Sequence, residues 1–132
     1  MSPRVAPAGA RGAEPGLSPA PERGYPRSMR ALWRDHVVAE SPDDRIVVIE
    51  GNRYFPPDTL ERSFFHASPT PYTCPWKGEC QYWTLRESQG ETAGEAVDAA
   101  WSYPTPFHTA IERVGADFSG YVAFGGGVTI LP

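Results

Sequence analysis

The stretch Arg45-Ile46-Val47-Val48-Ile49-Glu50-Gly51-Asn52-Arg53-Tyr54-Phe55 decides the fold class. Its first half is a β-branched run, too short for a useful helix, whose side chains fit a pleated, half-buried surface. Gly51-Asn52 permits a tight turn, with Asn52 placed for its tolerance of positive φ, and Arg53-Tyr54-Phe55 supplies a returning strand. Upstream, Ala31-Leu32-Trp33 and Val37-Val38-Ala39 flank the polar turn Arg34-Asp35-His36, and Ser41-Pro42-Asp43-Asp44 is a further turn signal. Together these pieces predict an antiparallel meander.

Downstream, Pro56-Pro57-Asp58 opens a predicted helix that runs through Phe65, with Leu60, Phe64 and Phe65 toward the sheet. Residues 66–73 contain Pro69 and Pro71 and read as an ordered loop. Residues 81–86 alternate, with Tyr82, Thr84 and Arg86 opposite Trp83 and Leu85, as a strand does. A polar turn with Gly90 and Gly94 follows over residues 87–95, then an apolar strand over 97–103 that ends at Pro104. Residues 106–114 stay ambiguous, a short helical turn being one reading. Tyr121-Val122-Ala123-Phe124 and Val128-Thr129-Ile130-Leu131 around Gly125-Gly126-Gly127 predict a closing hairpin. The expected fold class is mainly β: one antiparallel domain with one short helix.

That domain is expected over residues 29–132, about 100 residues, enough for one core. Residues 1–28 hold six Pro, five Ala and four Gly and too little apolar side chain to offset the entropy of ordering them, so they read as a disordered extension. Met29 is a candidate true start, and the six prolines oppose the amphipathic helix of a targeting peptide. The net charge is −4; four Arg against two Glu give the extension +2, leaving −6 for the rest, which argues against gripping a nucleic-acid duplex. No apolar run reaches the roughly 18–20 residues of a membrane span, and no secretory signal or cysteine framework stands out. The expectation is a soluble, cytoplasmic domain without a membrane partner.

Chemistry-bearing residues are densest in Thr73-Cys74-Pro75-Trp76-Lys77-Gly78-Glu79-Cys80-Gln81-Tyr82-Trp83, where a thiol, an amine, carboxylate and aromatic rings crowd a turn fixed by Pro75 and Gly78. Rings supply contact area and polar groups set orientation, which suits a small planar ligand. The plainer reading is that Trp76 and Trp83 fill a small core. Cys74 is a candidate nucleophile, because the Lys77 cation three residues on favours a thiolate. Cys74 and Cys80 are spaced C-x5-C, unlike a zinc knuckle, and the spacing of His66 and His108 does not demand that they complete a metal site, so no metal or cofactor is expected. Trp101 and Tyr103 share one face if their segment is a strand, and Asn52 and Tyr54 sit at a tight turn. The Gly125 triplet falls inside the expected hairpin and is no phosphate loop.

Val38-Ala39-Glu40-Ser41, the run Val48-Ile49-Glu50-Gly51-Asn52-Arg53-Tyr54-Phe55-Pro56-Pro57, Thr73-Cys74-Pro75-Trp76-Lys77-Gly78, Tyr82-Trp83, Ala100-Trp101-Ser102-Tyr103-Pro104 and Gly120-Tyr121-Val122-Ala123-Phe124 resemble, in order, the bacterial and fungal family catalogued as domain of unknown function 427. The resemblance implies a mainly antiparallel β-tent fold. Proteins of similar fold include methionine sulfoxide reductase B and the drug-binding domain of cereblon, which imply thiol chemistry or an aromatic cage by analogy alone. Their zinc knuckles are missing here, and Cys80 falls where the family usually has a small residue. The family has carried a nucleotidyltransferase label, but no cluster of paired aspartates is present to hold the magnesium such chemistry needs.

Three functions follow as expectations. The first is binding of a small planar molecule, with Trp76, Trp83, Trp101 and Tyr103 as walls and Lys77, Asn52 and Tyr54 as polar contacts. The second is a thiol enzyme using Cys74, and the third a protein-interaction module anchored by exposed aromatics.

Overall fold

The computed structural model describes residues 27–87 and 94–132. The expectations for the extension and for the polar turn centred on Gly90 lie outside the described residues, apart from their last and flanking positions. Among the described residues, nine strands form three antiparallel sheets: β1 (Ser28–Trp33), β2 (His36–Pro42), β3 (Val47–Ile49), β4 (Asn52–Tyr54), β5 (Phe65–Cys74), β6 (Gly78–Arg86), β7 (Glu95–Ser102), β8 (Val122–Phe124) and β9 (Thr129–Leu131). The one α-helix among the described residues is α1 (His108–Val114). The mainly β architecture agrees with the sequence reading.

The central sheet has the order β5-β6-β7-β8, and alternation along its strands splits its side chains between two cores. On the first face, Trp83, Leu85, Ala100, Val122 and Phe124 pack against the β2-β1-β9 sheet through Ala31, Trp33 and Val38. On the second face, Cys80, Tyr103 and Ala123 meet Ile49 and Tyr54 of the β3–β4 hairpin, Ala110 of α1 and Phe118. Phe55 and Val122 exchange both backbone hydrogen bonds, at 2.8 and 2.9 Å, and so tie the hairpin to the edge of the central sheet.

Four local expectations need correction. The early strands are two hairpins in separate sheets, so no continuous meander forms. In place of a helix from Pro56 to Phe65 there are two 3-10 turns, Pro57–Thr59 and Arg62–Phe64. The prolines remove donors there, Leu60 makes a β-bridge with Ala39, and the Glu61 N–H donates to the Val38 carbonyl at 2.8 Å. The backbone seals the edge of β2 instead of closing a helix, while Leu60, Phe64 and Phe65 still pack on the first core. The supposed loop over residues 66–73 is β5, an edge strand, where a missing proline N–H is tolerated. The expected closing hairpin does not exist: β8 pairs with β7 and β9 with β1, so the three glycines carry the chain from one sheet to the other.

Candidate functional site

The site grows from two turns that meet on the second face. The first, between β3 and β4, has Glu50 at φ +55° and Gly51 at +81°, the left-handed pair that two-residue hairpins favour. Asn52 is not the positive-φ residue expected from sequence; it begins β4, half-buried, on the same strand face as Tyr54. The second turn, Pro75-Trp76-Lys77, joins β5 to β6 and ends at Gly78, φ +118°. A Cβ at Gly78 would lie 3.4 Å from the Phe107 nitrogen and 3.5 Å from the Thr105 carbonyl oxygen, which is ordinary van der Waals contact, so glycine is required there by its backbone conformation.

These turns bring Lys77 onto Glu50. The Lys77 ammonium is buried, donates to the Glu50 carboxylate, and lies 5.0 Å from the Trp76 ring centroid and 5.2 Å from that of Tyr103. The Lys77 hydrogen bond holds the Glu50 carboxyl below its usual range, with smaller help from Trp76 and Arg113. Burial alone would lower the Lys77 pKa, but the Glu50 hydrogen bond and the nearby Tyr54 and Cys74 outweigh it, and the pKa is raised. The Arg113 guanidinium of α1 lies 4.5 Å from the Trp76 ring centroid, so this indole has two cations against it.

Behind the pair, Tyr54 and Tyr103 are fully buried, and burial raises both phenols. The Trp101 indole N–H donates to the Tyr54 hydroxyl at 3.0 Å. Trp76, Lys77, Trp101, Tyr103, Tyr54 and Cys74 thus gather at one end of the second face. Trp83 does not: it lies in the first core, its N–H donating to Ser102 Oγ at 3.0 Å on the opposite face. Cys74 and Cys80 are buried free thiols, Cys74 with 5% exposure, and burial pushes the Cys80 thiol up. Among the described residues, no group of three or more His, Cys, Asp and Glu is placed to hold a metal ion, and His108 pairs with Glu112 at 3.1 Å on the surface of α1.

Sequence reasoning missed Glu50 and Arg113. A signal existed for Glu50: a glutamate stands in a left-handed turn position where Asn, Asp or Gly is preferred. Arg113 offered none, because its meeting with Trp76 depends on how α1 docks.

The fold and site define a small, mainly antiparallel β domain whose central sheet carries an ion pair packed among aromatic rings. The chain belongs to the family described as Domain of unknown function (DUF427), whose family model matches residues 23–128. No curated protein matches the chain. No helix among the described residues is long and apolar enough to cross a membrane.

Proposed function

We propose that this domain binds a small planar molecule at the Glu50–Trp76–Lys77 turns, with Trp101 as a further wall and Asn52 as a polar contact. The observation that carries the reading is a buried ammonium held by a half-exposed carboxylate in a strained backbone position. A domain selected only for stability gains little from burying that charge, since a well-packed apolar side chain of similar volume is commonly as good or better. Strain and buried charge together mark pre-organised sites more often than plain cores. Tyr54 and Tyr103 serve as the rigid backing. A thiol enzyme fits less well, because Cys74 is almost fully shielded and the Lys77 cation is already engaged by Glu50. Free thiols accord with a reducing, cytoplasmic setting.

Tryptophan fluorescence titration against nucleobases, nucleosides and uncharged heterocycles tests the reading. A saturable change is expected for at least one planar compound, weakened by Glu50→Gln and lost at that site in Trp76→Phe. A flat response across the panel, with both variants changing stability alone, removes the proposal.

A further inference from the structure

The 3-10 turns after Pro56 seal the outer edge of β2, and beside that seal lies an open groove of about 410 Å³. Ala39 and Leu60, joined by their β-bridge, and the 40% exposed Val37 give it an apolar side. Glu40, Asp58 and Glu61 bring three carboxylates to the same space. Asp58 is neutralised, because the Arg45 guanidinium donates to both of its oxygens, at 2.8 and 3.0 Å. Glu40 and Glu61 are exposed and form no ion pair among the described residues. Two like charges beside an apolar surface favour a cation carried on an apolar stem, and arginine is such a side chain.

The point where the chain enters the fold identifies a source for that cation. Ser28 of β1 lies opposite Pro42 of β2, and the Arg27 carbonyl accepts from the Asp43 N–H. Asp43 is three positions from Glu40, a separation of about 10 Å at roughly 3.3 Å per residue. Immediately upstream of Arg27 stands Arg23-Gly24-Tyr25-Pro26. Four residues extend to about 13 Å, and the arginine side chain adds to that reach. Gly24 and Pro26 suit the reversal that returns the segment along β2. The charges are complementary, since residues 1–28 carry +2 and the rest of the chain −6. The family model matches from Arg23, so its match takes in this segment upstream of β1. Closing so short a loop also costs less entropy than bringing in the more distant Arg4 or Arg11.

We propose that residues 23–26 of this chain dock in the groove, with the Arg23 guanidinium between Glu40 and Glu61 and the Tyr25 ring on Val37 and Leu60. The docked segment turns two unpaired acids into a bridge and covers the seam where Leu60 closes the edge of β2. The ring buries apolar side chains that the groove otherwise leaves to water. None of the groove's lining residues belongs to the Glu50–Lys77 turns, and neither reading requires the other.

The test uses the full chain and begins without any variant. Nuclear Overhauser contacts are expected between the Tyr25 ring protons and the methyl groups of Val37 and Leu60. Arg23→Glu should weaken those contacts and lower the hydrogen-exchange protection of the Glu61 amide, which donates to the Val38 carbonyl at the seam, by about two- to fivefold, as the loss of an exposed ion pair implies. Glu61→Arg should weaken the contacts alone and restore them when combined with Arg23→Glu. Arg11→Glu makes the same change of charge farther up the chain and should leave both readouts unaltered. Absence of the contacts in the unaltered chain, an equal effect of Arg11→Glu, or no restoration in the double variant each overturns the proposal. Contacts found only between differently labelled copies overturn it too, because the groove then takes the segment of a neighbouring molecule.

Discussion

Glu50 occupies the first of two left-handed positions in the β3–β4 turn, and its carboxylate is about half exposed while its ammonium partner is buried. That asymmetry makes the two halves of the ion pair unequal. Glu50→Ala leaves the Lys77 charge buried with two rings and no carboxylate, and should cost about 1–3 kcal/mol, the exposed acid being partly screened. Lys77→Met leaves a carboxylate that water can reach, and should change stability by less than about 1 kcal/mol. Urea denaturation of both variants measures the difference, and equal losses would contradict the asymmetry. The pH dependence follows from the lowered Glu50 pKa. A carboxyl whose folded-state pKa is depressed stabilises the fold above its unfolded value and loses that contribution as pH falls through the folded one. Wild type should therefore lose stability relative to Glu50→Gln as pH falls from about 5 to about 3. Subtracting the two curves removes the shared contributions of Asp58, Glu87 and Asp117, whose partners also lower their pKa values.

Two glycines differ in how far their backbones lie from the left-handed well that an L residue tolerates. Gly115 ends α1 at φ +85°, its N–H donating to the Ile111 carbonyl at 2.9 Å, and a Cβ there would meet nothing. Gly115→Ala should cost about 1 kcal/mol, the left-handed backbone term alone. Gly78 stands at φ +118°, farther from the left-handed well at about +57°, while a Cβ there would meet the Thr105–Phe107 backbone only at ordinary van der Waals distance, so Gly78→Ala should cost more through backbone strain, by thermal or urea denaturation. If the two cost the same, the larger departure of Gly78 from the left-handed well is not what fixes that glycine. Such local rules were legible in the sequence wherever partners are close along the chain: the β1–β2 and β3–β4 hairpins and the alternation of β6 could all be read. They failed where partners are distant. Nothing local in Val128-Thr129-Ile130-Leu131 reveals that β9 pairs with β1, about 100 residues earlier, and Pro69 and Pro71 are compatible with either a loop or the edge strand they occupy. The candidate site divides in the same way. Its turn residues Trp76 and Lys77 stand out, but Lys77 reaches Glu50 across 27 positions, and the face that Trp83 takes, the first core and not the Trp76 side, is not legible because a strand's two faces look equally apolar here.

The two cores lie back to back across one sheet, which determines how the molecule comes apart. Trp83 and Leu85 of β6 enter the first core while Cys80 of the same strand enters the second; Ala100 and Tyr103 divide likewise around β7. Neither core can lose its half of β6 and β7 without exposing the other, and the reciprocal Phe55–Val122 hydrogen bonds clamp the hairpin layer to the same sheet. The expectation is one cooperative unit rather than two that melt separately. Phe55→Ala in the first core and Phe118→Ala in the second, both side chains fully buried, should each cost about 3–5 kcal/mol. Tryptophans report on the two sides independently: Trp33 is packed in the first core, and Trp101 is bonded to Tyr54 on the second face. Variants keeping only one or the other as fluorophore should show coincident urea midpoints, and either phenylalanine truncation should move both midpoints together. Separate midpoints, or a Phe118→Ala shift felt by Trp101 and not by Trp33, would mean that the hairpin-and-helix layer opens on its own. The Glu50–Lys77 turns would then belong to a locally unfolding segment rather than a rigid scaffold, and a pre-organised site there would lose its physical basis.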